Sequence, residues 1–153
     1  MEIPDEVIMT LRPLIATLAL TAALAGCGSG PPKRITPSAV TIQQLIAQPD
    51  GQWKLTMRIQ NFSTVPMRYS SLHATLRVAG ADVGTIDLKP DLDIPANSAD
   101  VVDTSLHASA KLPAGDVEYK LEGTVDTSEP KANFKVDRSG RLSPAPGLPG
   151  TWR

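Results

Sequence analysis

Cysteine occurs once in the 153 residues, at Cys27, so no internal disulfide can staple a fold. In an exported chain such a thiol must pair between molecules, react or be modified. Aromatic residues make up only 4% of the sequence, which leaves no stacking platform for single-stranded nucleic acid or sugars. Neither sign of charge dominates: the formal net charge is −1, and removing residues 1–26 leaves about +1. There is no basic excess for nucleic acid and no acidic solvating tail. Long apolar runs are missing too. The longest, residues 14–24, spans about 11 residues, against about 20 for a membrane-crossing helix.

What the sequence does contain begins with that short run. Arg12 precedes it and small residues follow, the order of a secretory signal. Leu24-Ala25-Gly26-Cys27 resembles a lipobox. The resemblance implies diacylglyceryl attachment to the Cys27 sulfur, cleavage before it and acylation of the new amino group. Two or more acyl chains turn marginal membrane binding into stable anchoring, at about 0.8 kcal/mol per buried methylene. Residues 1–8 are acidic, the wrong sign for the start of a signal, so we place the true start at Met9. Gly28 stands where lipoproteins kept in the inner membrane carry aspartate, which points to the outer membrane, periplasmic face.

The expected organisation is a signal peptide over 1–26, an acylated Cys27 with a Gly/Pro tether over 27–38, a β domain over 39–140 and a Pro-rich tail over 141–153. Roughly 100 residues then remain for a core, enough for one sandwich or small barrel without disulfides. Within 39–140 the apolar period is two. Trp53, Leu55, Met57 and Ile59 alternate with Lys54, Thr56, Arg58 and Gln60, and Val117, Tyr119, Leu121, Gly123 and Val125 alternate with polar residues. Further strands are expected over 40–48, 67–78, 83–88, 99–106 and 132–136. Seven short strands with turn signals about every ten residues predict an all-β, antiparallel β-sandwich. The tail reads as a disordered arm or as a docking segment that uses Leu148 and Trp152.

Catalytic groups are few. His73 falls on a polar strand face and His107 at a strand end, and neither has a cysteine or second histidine at ligand spacing, so no metal is expected. Asp87, Asp91 and Asp93 lack the glycine and terminal glutamate of a calcium loop and read as a solvated acidic loop. No Gly-x-Ser-x-Gly elbow or phosphate-cradling glycine loop occurs. Trp53 heads an inward face and reads as core. No cofactor and no enzymatic activity are expected.

Three stretches resemble the late embryogenesis abundant type 2 family, the water stress and hypersensitive response domain. They are Trp53-Lys-Leu-Thr-Met-Arg-Ile-Gln-Asn-Phe-Ser-Thr-Val-Pro-Met, Leu76-Arg-Val-Ala-Gly-Ala-Asp-Val-Gly and Ile94-Pro-Ala-Asn-Ser-Ala-Asp-Val-Val. Asn61-Phe62-Ser63 stands where the family has Asn-Pro-Asn, keeping only the first position. Pro66, Gly80 and Pro95 match in place. The resemblance spans about residues 40–125 and implies a fibronectin III- or immunoglobulin-like sandwich, with Asn61 and Pro66 shaping the crossover after the second strand. It implies no catalytic residues. The expected role is a membrane-anchored, stress- or desiccation-related or envelope-structural lipoprotein. The alternative is a periplasmic accessory module that meets an envelope partner through a sheet edge or the tail.

Cys27→Ser is expected to abolish labelling by palmitate and to leave an uncleaved or soluble product. Labelled lipoprotein from the variant overturns the anchor.

Overall fold

The computed structural model describes residues 30–153, so Met9, Leu24, Ala25, Gly26 and Cys27 lie outside the described residues. Lys33–Arg153 form one compact unit. The described residues hold nine strands and no helix: β1 (Ala39–Ala47), β2 (Gln52–Gln60), β3 (Met67–Val78), β4 (Ala81–Leu88), β5 (Leu92–Ile94), β6 (Ala99–His107), β7 (Val117–Glu129), β8 (Lys131–Leu142) and β9 (Thr151–Trp152). They make two antiparallel sheets. One is ordered β6-β2-β1-β9; the other is ordered β4-β3-β7-β8, with β5 also paired to β3.

Seven strands were expected and nine are present. Both additions are too short to show a period: β5 has three residues and β9 two. β9 lies within the tail, where it pairs with β1 through Leu45–Trp152 and Ile46–Thr151. β8 also runs past the expected strand end, to Leu142. Its apolar parity is interrupted by Arg138 and Gly140, which hides the continuation from a pattern reading.

The alternation that defines the strands also builds the core. Trp53, Leu55, Met57 and Ile59 from the first sheet are buried with Leu72, Leu76, Leu121 and Val136 from the second, in one apolar cluster. Register shifts keep the pattern on the core face. Between Ile42 and Gln44 the β1–β2 register slips, and the buried set passes from Val40 and Ile42 to Leu45. Between Tyr69 and Ser71 the β3–β7 register slips, and burial passes from Met67 and Tyr69 to Leu72. Each break in period two is thus offset by an extra residue in the strand, as a β-bulge allows.

Both tyrosines of the chain are buried in the second sheet and reach the first. The Tyr69 hydroxyl lies 2.6 Å from Ser38 Oγ, and the Tyr119 hydroxyl accepts the backbone N–H of Ile42 at 3.2 Å. Burial raises the Tyr69 pKa, partly offset by the bond from Ser38, so the phenol stays protonated. Tyr119 pairs across the ladder with Gly140. A Cβ on Gly140 would lie 2.5 Å from the Tyr119 ring, which fills the space the glycine leaves.

Gly123 faces Ala74 in the β3–β7 ladder. A Cβ there would press on the His73 carbonyl oxygen and come within 2.5 Å of Ala74 Cα. Both are backbone contacts that no rotamer change relieves. Gly123→Ala is expected to destabilise the domain by about 3 kcal/mol and to lower Tm by about 10 °C. Gly30→Ala, with open space around its site, serves as the control. A Gly123→Ala melting curve that overlays the parent's would show that the β3–β7 approach is wrong.

Candidate functional site

The resemblance motif converges at one end of the sheets. Asn61 follows β2 directly and is fully buried. Its Nδ2 donates to the carbonyls of Val65 at 2.9 Å, Ile94 at 3.1 Å and Pro95 at 3.0 Å. Its Oδ1 accepts the N–H of Ser63 at 2.8 Å, an Asx-type local turn. Two amide hydrogens serve three carbonyls, so at least one bond is shared. The backbone joins in: Asn61 N–H donates to the Ser98 carbonyl at 2.8 Å, and Asn97 N–H donates to the Ser63 carbonyl at 3.1 Å.

This arrangement joins two crossovers. Residues 61–66 carry the chain from the first sheet to the second, and residues 95–98 carry it back. Pro66 is exposed and follows Val65, whose carbonyl the Asn61 amide holds. Pro95 offers its own carbonyl. Gly80 lies at the other end of β3, in the β3–β4 turn, where φ is +80° and a side chain would be strained. The motif residues Asn61, Pro66 and Pro95 therefore form one constellation, and Gly80 serves a separate turn.

Ser63, at the third motif position, is fully buried. Its Oγ accepts the Thr36 N–H at 2.9 Å and lies 3.1 Å from the Met67 sulfur. It ties the segment entering β1 to the same junction. Sequence reasoning passed over Ser63. The signal available was a small polar residue two places after the Asn, able to bond backbone as asparagine would.

At the opposite end, Trp152 is 8% exposed and donates its indole N–H to the Gly115 carbonyl at 3.1 Å. Ser143 and Arg153 exchange backbone hydrogen bonds, and Arg153 Nε donates to Gln44 Oε1 at 2.8 Å. Trp152 thus docks on its own domain, whereas Leu148 remains exposed.

The candidate chemical groups do not converge. His73 pairs with Asp87 across the β3–β4 ladder, both exposed. Asp91 and Asp93 both face Arg68, at 2.7 and 3.3 Å. The hydrogen bond to Asp91, then the charges of Asp91 and Asp93, raise the Arg68 pKa. His107 is exposed at the end of β6. Among the described residues no group of three or more His, Cys, Asp or Glu is placed to hold a metal. Nor, among them, is any helix long and apolar enough to cross a membrane. A groove of about 630 Å³ runs over the outer face of β7 and β8. Its cations are paired: Arg77 with Asp82, Lys120 with Glu122 and Arg141 with Glu118. Asp126 is held below the usual carboxylate range by hydrogen bonds from Ser71 and Asn133. These are bonds of a ladder face.

The site's geometry is that of a structural junction in an all-β domain of two antiparallel sheets. No family model matches the chain, and no curated protein matches it. Among solved structures it is similar to an X-ray structure of a structural-genomics target, at 15% identity over 75% of this chain and 92% of that chain, with a TM-score of 0.50. It is also similar to the solution structure of an Arabidopsis thaliana protein, at 11% identity over 80% and 87% of the two chains, TM-score 0.46. A third likeness is to a candidate late embryogenesis abundant (LEA) protein, at 12% identity over 91% and 88%, TM-score 0.46. At such identities the likeness concerns the fold.

Asn61→Ala removes all four side-chain bonds at a fully buried position. A loss of about 2–4 kcal/mol in urea unfolding is expected. Asn61→Asp, equal in size, replaces the donor by a charge aimed at three carbonyls and is expected to cost at least as much at pH 7. An Asp variant as stable as the parent would show that the amide donor is not what holds the junction.

Proposed function

We propose that this chain is a membrane-anchored, non-enzymatic lipoprotein whose domain is a fibronectin III- or immunoglobulin-like sandwich of the late embryogenesis abundant type 2 kind. Its role is stress- or desiccation-related, or structural in the envelope. The single observation that carries the domain reading is the Asn61 junction. The residue kept from the family motif is fully buried and spends its whole carboxamide on the two sheet crossovers. The anchor reading rests on Leu24-Ala25-Gly26-Cys27 and the signal-like run before it. No acid, base or nucleophile is asked to act in this role. The protein works by being held at the envelope and by presenting a rigid surface there.

A second reading, the accessory module, is favoured by β6. It is a nine-residue strand paired only to β2, so one side of its backbone faces away from the ladder. One experiment separates the two. A strain lacking the gene is expected to lose survival on drying and on osmotic shock, and a plasmid copy is expected to restore it. Unchanged survival removes the protective role, and a specific envelope protein recovered by crosslinking in that case favours the accessory module.

A further inference from the structure

Among the described residues four large apolar side chains stay exposed, and three of them lie on segments toward the Asn61 end: Ile35 (48%), Phe62 (50%) and Val101 (54%). Scattered singly, exposed apolar residues need no explanation. Here the segments of Ile35 and Phe62 are bonded to each other. Arg34 N–H donates to Thr64 Oγ1 at 2.7 Å, Thr64 N–H donates back to the Arg34 carbonyl at 2.9 Å, and Thr36 N–H donates to Ser63 Oγ. Ile35 is thereby fixed alongside the segment that carries Phe62. Val101 lies two residues from the start of β6, just beyond Ser98, which accepts the Asn61 N–H.

Basic side chains stand among them. Lys33, Arg34 and Arg58 are exposed, and Arg58 sits opposite Val101 in the β2–β6 ladder. The ion pairs of the described residues include none of these three. Acids lie nearby as well: Asp91 and Asp93 are ion-paired with Arg68, while Asp100, which accepts the Val101 N–H at 2.7 Å, and Asp103, which accepts from Thr56, keep their charge.

We propose that this end of the domain is a lipid-facing surface. Ile35, Phe62 and Val101 enter the headgroup–acyl boundary of an anionic phospholipid bilayer, and Lys33, Arg34 and Arg58 meet its phosphates. The inference rests on the Cys27 anchor for its geometry. Lys33 opens the compact unit six residues after Cys27, a reach of about 20 Å when fully extended. The far end of the sheets, where Leu148 is exposed, is the length of β2 away, about 30 Å. A short tether therefore presents the Ile35–Phe62 surface to the membrane first. Cations beside apolar side chains suit that surface better than a neutral protein face, because the anionic leaflet attracts each basic residue near it. The surface also supplies a second membrane signal beside the acyl chains.

The test uses residues 28–153, which contain the whole compact unit and every residue of the apolar core, with the fold of each sample verified by circular dichroism. The probe is cosedimentation with vesicles of phosphatidylglycerol and phosphatidylcholine in equal parts, against vesicles of phosphatidylcholine alone. Binding is expected to the anionic vesicles only and to fall in high salt. Lys33→Gln and Arg34→Gln are each expected to weaken it roughly five-fold, and Phe62→Ser about ten-fold. Leu148→Ser should leave it unchanged. If Phe62→Ser proves unfolded, Ile35→Ser, outside the strands, reads the same surface. A folded domain that ignores anionic vesicles, or that loses as much binding through Leu148→Ser as through Phe62→Ser, overturns the proposal. Failure of the anchor reads out separately: vesicle binding without palmitate at Cys27 keeps the surface and removes the anchor, and palmitate without vesicle binding does the reverse.

Discussion

One carboxamide holds the two sheets in their connectivity. The chain leaves the first sheet after Gln60 and returns to it at Ala99, and Asn61 bonds backbone from both passages. Beyond the short β5 these passages lie outside the ladders, and the carbonyls of Val65, Ile94 and Pro95 each take a side-chain donor. The Asn61 amide supplies those donors while its oxygen takes the Ser63 N–H. Ser63 then extends the junction to Thr36 and so to the strand entering the first sheet. Asparagine suits the position because it is both donor and acceptor at one short reach. Aspartate lacks the donors, and alanine lacks both.

With the connections fixed, the sheets still have to meet in one register. Two kinds of contact set it. The Tyr69 and Tyr119 hydroxyls reach across the core to Ser38 and Ile42 N–H, and these polar contacts satisfy groups that apolar packing alone would leave orphaned. Gly123 and Gly140 act in the opposite sense, by absence. One lets β3 and β7 approach closely, and the other leaves room for the Tyr119 ring. A scarcity of aromatic residues is thus compatible with a well-determined core, because both tyrosines and Trp152 are placed on specific partners.

How much of this was legible follows from the length of each signal. β2 and the first half of β7 alternate over nine residues, and nine residues are enough to fix type, face and approximate ends. β9 is two residues long, and its pairing with β1 depends on Trp152 finding Gly115, a contact across 37 residues that no local pattern encodes. The register shifts in β1 and β3 were hidden for a related reason: a bulge is visible only once the partner strand is known. At the junction, Asn61 stood out through its motif, but Ser63 did not, since its importance lies in being buried. The pairing of Asp87 with His73 and of Asp91 and Asp93 with Arg68 depends on the β3–β4 and β3–β5 registers, which no local pattern displays.

The sheet edges bear on where such a domain can meet anything else. The β8 and β4 edges carry features that discourage strand addition. β8 places Arg138 on the parity of its buried residues Phe134 and Val136, where an added strand would have to accommodate the charge. β4 has a register shift beside Gly84, whose φ of +144° bends the edge away from a flat template. β6 carries Asp100 and Asp103, the latter bonded to Thr56 on the neighbouring strand. Trp152, the strongest apolar anchor of the tail, is spent on the domain itself. With the tail folded back, the exposed large apolar side chains among the described residues are Leu148 at one end of the sheets and Ile35, Phe62 and Val101 on segments toward the Asn61 end. That end is also the one six residues from Cys27. The proposed anchor and the proposed surface are linked through the length of chain between them: a longer tether would let any face meet a membrane, whereas a short one from an acylated Cys27 would favour the end that Asn61 holds together.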